Sequence, residues 1–407
     1  MSKFFTKKQE TLISDFKHDR LKRINILEGS VRSGKTWISL ILWGMWVATM
    51  PDTESYLMVG KTMTALKRNC LEPLKELFGE NNFDYSFSAK EGRLFGRKVY
   101  LEGVNDARAE GKIRGLTLAG AYGDEVSLFT EDFFTMLLSR LSVTGAKFFG
   151  TTNPDNPNHW LLKKYLKREG ELNLYRKQFL IDDNTTLDPQ YIEDIKSEYT
   201  GVFYERFILG RWVVAEGLVY PMFSGAAVAD TWEDPDLLLH TYYVSIDYGT
   251  LNPFVMLLWY IDDKGRGVLV KEYCWDGREQ RQQKTDEQYY QALEAFATMN
   301  GEPLAVEAVI VDPSAASFIE LIRQRGRFVC QGADNEVLEG IRNVAMLLNR
   351  GYLIFDKRCV RIFEEFKAYA WNADAQEDKV IKENDHAMDA MRYFVKTVLY
   401  RRYRGWW

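Results

Sequence analysis

The stretch Gly29-Ser30-Val31-Arg32-Ser33-Gly34-Lys35-Thr36 decides the fold of the amino-terminal half. It is a complete G-x-x-x-x-G-K-[ST] loop, preceded by Ile24-Asn25-Ile26-Leu27 and followed by the apolar run 37–50. Strand, loop and helix in that order make a phosphate-binding turn. Glycine lets the backbone bend so that successive N–H groups face one point, and the helix that follows adds the positive end of its dipole. Gly29, Ser30, Arg32, Ser33 and Gly34 are expected around the phosphates, with Lys35 reaching the β and γ oxygens. The Thr36 hydroxyl is expected on the Mg²⁺ that offsets their charge. The motif identifies a nucleoside triphosphate and is silent about what its hydrolysis drives.

Working outward, residues 24–150 alternate strands near 55–59, 98–101, 116–122 and 146–150 with amphipathic helix, for example 66–78. That rhythm predicts a parallel sheet covered by helices. Asp124-Glu125 closes one strand and reads as an acid pair: Asp124 holds Mg²⁺ through water, and Glu125 orients and deprotonates the attacking water. The strand before it is rich in Gly and Ala, which leaves the geometry of Asp124 open. Thr151-Thr152-Asn153 ends the next strand at the carboxyl edge, where open α/β sheets bind ligands, and is placed to sense the γ-phosphate. Gln9, within Phe5-Thr6-Lys7-Lys8-Gln9, offers a donor and an acceptor to an adenine edge, which makes ATP the expected nucleotide. A planar cation is needed for the transition state. Arg32 would act within its own subunit, whereas Arg140 would reach a neighbour's site in a ring.

The chain has 407 residues, 46% hydrophobic and 14% aromatic, enough for two cores. A net charge of -5 excludes a uniformly basic nucleic-acid binder, so any DNA contact must come from local patches such as Lys61, Lys67, Arg68, Lys112, Arg114, Lys379 and Lys382. Four cysteines without C-x-x-C spacing suggest neither a zinc site nor a disulfide framework. Run 37–50 is too short to cross a bilayer, and no membrane role is expected. Residues 1–210 are read as the nucleotide domain, with a charged helical lid at 156–210. A boundary follows at 211–238, around Gly217, Pro221, Gly225 and Pro235, and a second domain at 239–407.

The second domain opens with three strands (242–247, 254–261, 268–273) before any helix, then runs helix 286–299, strand 308–311, helix 318–325, strand 328–331, helix 337–349 and strand 352–355. This β-β-β-α-β-α-β-α order is that of ribonuclease-H-like nucleases. Asp247 and Asp312 end apolar strands, and His386 and Asp389 share one face of a late helix. Three carboxylates from distant positions hold two Mg²⁺ or Mn²⁺ ions about 4 Å apart and sever a phosphodiester. Asp385 competes with Asp389 for the third position, and His386 is either a proton carrier or a supporting ligand.

On the loop with its internal arginine, the Asp124-Glu125 pair, Thr151-Thr152-Asn153, the segments Gly201-Val202-Phe203-Tyr204 and Gly210-Arg211-Trp212, and the set Asp247, Asp312, His386-x-x-Asp389, the chain resembles the large terminase subunits of tailed bacteriophages. The resemblance implies a P-loop ATPase of the ASCE type joined to an RNase H-like nuclease, pumping double-stranded DNA into a procapsid and cutting concatemers. It also implies a ring of copies, pentameric by family, on a portal protein, a small terminase subunit that selects the DNA, and action in the cytoplasm of the bacterial host. A helicase-nuclease of repair or defence is the alternative. The tail Arg401-Arg402-Tyr403-Arg404-Gly405-Trp406-Trp407 mixes cations and aromatics as a partner-binding surface would.

Overall fold

The computed structural model describes residues 5–104, 109–249, 252–373, 375 and 377–404; Gly405, Trp406 and Trp407 of the tail lie outside them. The chain divides into two compact units, Met1–Lys196 with Val202–Val214, and Ser197–Gly201 with Ala215–Trp407.

The first unit begins with α1 (Lys7–Lys17), β1 (Ile24–Gly29), α2 (Lys35–Thr49) and β2 (Ser55–Gly60). After α3 (Met63–Leu66), a π-helical turn Lys67–Leu71 and α4 (Glu72–Phe78) come β3 (Phe83–Ser86), β4 (Glu91–Leu94) and β5 (Arg97–Gly103). Then follow α5 (Ala109–Ile113), β6 (Gly120–Gly123), α6 (Glu131–Arg140), β7 (Lys147–Thr152), β8 (Leu174–Phe179), α7 (Pro189–Glu198) and α8 (Gly201–Phe207). The sheet order is β3-β4-β5-β2-β6-β7-β1-β8, parallel from β5 to β8. One strand, β7, separates the loop strand β1 from the acid strand β6, the arrangement expected of an ASCE-type ATPase.

Alternate residues of each strand feed opposite faces. Leu27, Tyr56, Met58, Tyr122 and Phe149 pack with Trp43, Trp46 and Val47 of α2. Ile26, Leu57, Val59, Ala121 and Phe148 pack with Phe133, Phe134 and Leu137 of α6. The small residues of β6 have a packing cause. A Cβ on Gly120 would stand 2.3 Å from the Trp46 ring, and one on Gly123 would stand 2.9 Å from Phe148. Bulky aromatics from neighbouring elements thus supply the volume that branched residues would otherwise fill.

Strand β8 falls where the sequence predicts a helical lid. Its middle residues Tyr175, Arg176, Lys177 and Gln178 conceal a strand pattern, yet it pairs with β1 along six positions. The charge has a use: Glu28, 1% exposed, accepts from Arg176 Nε at 2.6 Å and from Trp212 Nε1 at 2.9 Å. Removing one partner of a buried ion pair strands the other, at about 3 kcal/mol or more. Arg176→Met is therefore expected to lower the calorimetric melting point of the first unit by roughly 6–10 °C. Adding Glu28→Gln should restore most of that loss.

The second unit contains β9 (Val228–Ala229), β10 (Thr241–Asp247), β11 (Phe254–Ile261), β12 (Gly267–Trp275), α9 (Asp286–Phe296), the two-residue strands β13 (Thr298–Met299) and β14 (Glu302–Pro303), and β15 (Ala305–Val311). It continues with α10 (Ala316–Arg325), β16 (Cys330–Gly332), α11 (Val337–Asn349), β17 (Leu353–Asp356), α12 (Val360–Ala368), α13 (His386–Phe394) and α14 (Tyr400–Arg404). The sheet order is β16-β15-β10-β11-β12-β17-β9, with β10-β11-β12 antiparallel and the other pairs parallel. Among the described residues no helix is long and apolar enough to cross a membrane.

Two candidate active sites

The ends of β1, β6 and β7 converge because the strands are parallel and in register, Glu28 beside Thr152 and Gly123 beside Gly150. Gly29 has φ +132°, and a Cβ there would stand 1.9 Å from the Phe179 carbonyl oxygen, so the loop can begin only with glycine. Gly34, at φ +79°, caps α2, whose first two residues are Lys35 and Thr36. The Lys35 ammonium is buried and donates to the Ser30 carbonyl at 2.9 Å and to Asn153 Oδ1 at 2.6 Å. Burial pulls its pKa down against the opposing charges of Glu125 and Asp124. Ser30 Oγ is buried with no hydrogen-bond partner, a polar atom that a ligand oxygen would satisfy. With glycines where the backbone must turn, the cradle fits a polyphosphate.

The outer side of the loop is tied down. Val31 N–H donates to the Phe207 carbonyl at 2.8 Å, and Asn184 Nδ2 donates to the Arg32 carbonyl at 2.8 Å. Ser33 Oγ donates to the Ser30 carbonyl at 2.9 Å. Arg32 is exposed, in the left-handed region at φ 54°.

Asp124 is 3% exposed, and burial raises its pKa although Asn69 and Thr151 donate to it. Thr151 Oγ1 bonds Oδ1 at 3.1 Å, and Asn69 Nδ2 bonds Oδ2 at 3.0 Å. Glu125, at φ 55°, presents both carboxylate oxygens to Asn153 Nδ2 at 3.0 and 2.9 Å. Since an ammonium only donates, Lys35 fixes which end of the Asn153 amide is oxygen, and Asn153 spans the loop lysine and the second acid. Thr152 Oγ1 accepts from the Ser127 N–H at 3.2 Å and donates to the Asn153 carbonyl at 3.1 Å. Gln9 Oε1 accepts from the Thr6 N–H at 3.0 Å and so completes the cap of α1. Its Nε2 end lies against Gly34. Arg140 is not brought to its own loop: its carbonyl accepts from Leu118 N–H just ahead of β6, at the amino edge of the sheet, and its Nη1 donates to the Arg114 carbonyl. Of the basic DNA candidates, Lys67, Lys112 and Arg114 form ion pairs with Glu72, Glu102 and Glu110.

In the second unit, parallel pairing sets Ile246 beside Val311, so Asp247 and Asp312 leave adjacent strand ends together. Helix α13 lies against β10 with His386, Asp389 and Tyr393 at i, i+3 and i+7 on one face. His386 Nδ1 is 2.8 Å from Asp247 Oδ2, and the Tyr393 hydroxyl bonds Asp312 Oδ2 at 2.7 Å and Asp247 Oδ1 at 3.3 Å. Burial raises the pKa of Asp247, with the charges of Asp389 and Asp312 adding to it and the His386 bond opposing. At His386 burial acts downward, but the Asp247 bond and the surrounding acids outweigh it and raise the pKa. At Asp312 burial acts upward and is outweighed by the Ser314 N–H and Tyr393, which hold the carboxyl below its usual range.

Asp389 accepts from Arg392 Nη2 at 2.8 Å and from Lys382 Nζ at 3.1 Å, while Asp385 is ion-paired to Lys382 at 3.0 Å. A cleft of about 470 Å³ is lined by Asp247, Asp385, His386, Asp389, Lys382 and Arg278, among others. Among the described residues no three His, Cys, Asp or Glu side chains stand at metal-ligand spacing. The acids expected from sequence therefore neighbour one another without standing at metal-ligand spacing, and basic side chains neutralise the third. The all-oxygen donor set and the mutual repulsion of the acids still suit a hard divalent cation.

Sequence reading missed Glu365, whose only signal was its place on an amphipathic helix. Its Oε2 accepts from the Ala387 and Met388 N–H groups at 2.7 and 3.1 Å and so fixes the start of α13, while Oε1 takes Arg361 Nε at 2.9 Å. Burial outweighs these donors and pushes its pKa up to about 7 from the ordinary 4.5. Between those values the folded chain holds a proton that the unfolded chain has released, so stability falls as pH rises through the window, by up to about 1.4 kcal/mol per pH unit. Melts of the wild type and Glu365→Gln at pH 5.5 and pH 8 are expected to show the wild type losing more stability on alkalinisation.

A phosphate-loop ATPase sheet followed in the same chain by an RNase H-like sheet defines the class: a two-domain nucleotide- and nucleic-acid-directed hydrolase fold. The family description "Terminase large subunit, T4likevirus-type, N-terminal" matches residues 26–224, and "Terminase RNaseH-like domain" matches residues 245–397. The large terminase of a thermophilic bacteriophage is 39% identical, with a TM-score of 0.90 over 97% of this chain and 99% of that one. The same protein solved with ATP-gamma-S gives a TM-score of 0.87 over 97% and 99% of the two chains. The large terminase subunit of Escherichia phage T5 is 22% identical over 231 residues, 53% of this chain and 50% of that protein, so the match spans about half the length of that relative. The chain belongs to the large terminase subunits of bacteriophages.

Proposed function

We propose that this chain is the ATP-driven motor and the nuclease of viral DNA packaging. The observation that carries the reading is the Lys35–Asn153–Glu125 connection at the carboxyl edge of the first sheet, present on the same chain as the Asp247–Asp312 strand ends of the second. The thermophilic-phage relative, crystallised with ADP and with ATP-gamma-S, supports ATP as the ligand of the loop. Thr36 and Asp124 would hold Mg²⁺, which offsets charge on the β and γ oxygens.

In this reading Lys35 exchanges Asn153 for phosphate oxygen. Asn153 then loses its hold on one end, and Glu125 is released to take a proton from the attacking water; Arg32 meets the charge of the transferring group. Loss of phosphate returns Lys35 to Asn153, and Glu125 is withdrawn again. In the second unit Asp247, Asp312 and Asp389 would hold the divalent ions that activate water and stabilise the leaving oxygen, with Asp385 the competing third ligand. Tyr393 keeps the first two acids together, and His386 orients Asp247. Lys382 and Arg392 must yield Asp389 to a metal.

Double-stranded DNA is the substrate of both units. The portal protein, the small terminase subunit and a homo-oligomeric, pentameric ring in which Arg140 reaches a neighbour belong to this proposal, as does action in the host cytoplasm. The test is ATP-dependent protection of DNA from added nuclease in the presence of procapsids. Protection confirms packaging, whereas procapsid-independent strand separation would replace it with the helicase-nuclease reading.

A further inference from the structure

The π-helical turn Lys67–Leu71 delivers Asn69 to the acid of the nucleotide site. Such turns insert an extra residue into a helix and concentrate at functional sites. Here the flanking Leu66, Cys70, Leu71 and Leu74 are all fully buried, while Asn69 stays half-buried at the rim. Asn69 Nδ2 donates to Asp124 Oδ2 at 3.0 Å, and its other end accepts from Arg68 Nε at 3.1 Å. A guanidinium only donates, so Arg68 fixes Oδ1 outward and the amide nitrogen toward the acid. Thr151 takes Oδ1 of Asp124 and Asn69 takes Oδ2, one neutral donor to each oxygen. The buried carboxylate is thereby clamped from both sides, with the buried Cys70 thiol of the same turn also hydrogen-bonded to it. A lysine in place of Asn69 would compete with a metal for the acid; an amide orients it without doing so.

We propose that Asn69 is a positioning residue that presents Asp124 to the nucleotide's Mg²⁺. This rests on the reading of Asp124 given above. Groups that orient a metal-holding residue typically contribute 10–100-fold to metal affinity.

The test uses the full chain and two readouts: the Mg²⁺ concentration giving half-maximal thermal stabilisation by ADP, and that giving half-maximal ATP turnover. Asn69→Ala is expected to raise both midpoints about tenfold or more. Saturating Mg²⁺ should restore turnover to near the wild-type level, and the melting point without nucleotide should fall by only the few degrees that losing one donor to a buried carboxylate costs. Asn69→Leu, which keeps the volume and removes the donor, should behave alike and serves if the alanine variant fails to fold. A wild-type Mg²⁺ midpoint in a folded variant, or a loss of turnover that saturating Mg²⁺ does not reverse, would overturn the inference. If the wild-type chain itself shows no Mg²⁺-dependent stabilisation by ADP, the reading of Asp124 fails, and the Asn69 inference falls with it.

Discussion

Lys35→Ala is expected to reduce ATP turnover by at least about 10²–10³-fold, the usual loss when a charged group that meets transition-state charge is removed. The ammonium is the point at which the loop, the Ser30 carbonyl and Asn153 meet. Without it the β and γ oxygens lose their cation, and Asn153 no longer has a partner for which phosphate can compete. The ammonium is also buried, at a desolvation cost of its own, so its removal should not cost the fold dearly. Phosphate release measured beside a melting curve checks both points. Mn²⁺-supported cleavage of plasmid DNA by the same variant should persist, and its loss would contradict two separable sites.

Asp247→Ala is expected to do the reverse. Cleavage should fall by about 10³-fold or more while phosphate release stays within about twofold of the wild type. Asp247 is the carboxylate on which the second site is built: His386 bonds one oxygen and Tyr393 the other. The variant has a second signature. The His386 pKa is raised chiefly through Asp247, which overcomes the downward effect of burial, so an imidazole titration should shift to lower pH in the variant. An unchanged titration would mean that the two side chains do not meet in solution.

Much of the nucleotide site was legible because its residues lie at the ends of strands in one parallel sheet. The Gly29–Thr36 loop, Asp124-Glu125 and Thr151-Thr152-Asn153 occupy equivalent edges of β1, β6 and β7, and parallel pairing alone brings such edges together. Asp247 and Asp312 were legible for the same reason. Asn69 and Glu365 were not, because each acts alone from a helix, with no spacing motif, on a partner 55 or 22 residues away. The neutralisation of Asp389 by Arg392 and Lys382 was hidden too, since charge pairs on a helix face ordinarily mark solvent. Strand β8 was lost because its arginine, Arg176, serves a buried carboxylate rather than an exposed surface.

The tethering of the phosphate loop from behind leaves one residue unaccounted for by packing. Phe207 and Asn184 hold backbone atoms at positions 31 and 32, so the scaffold is indifferent to which side chains stand there. At position 32 the backbone twists into a conformation that glycine or asparagine adopts with about 1 kcal/mol less strain, and the side chain projects into solvent. Folding alone would not choose a guanidinium for that spot. A guanidinium there suits the role proposed for it above, work performed outside the scaffold on an anion that arrives and departs.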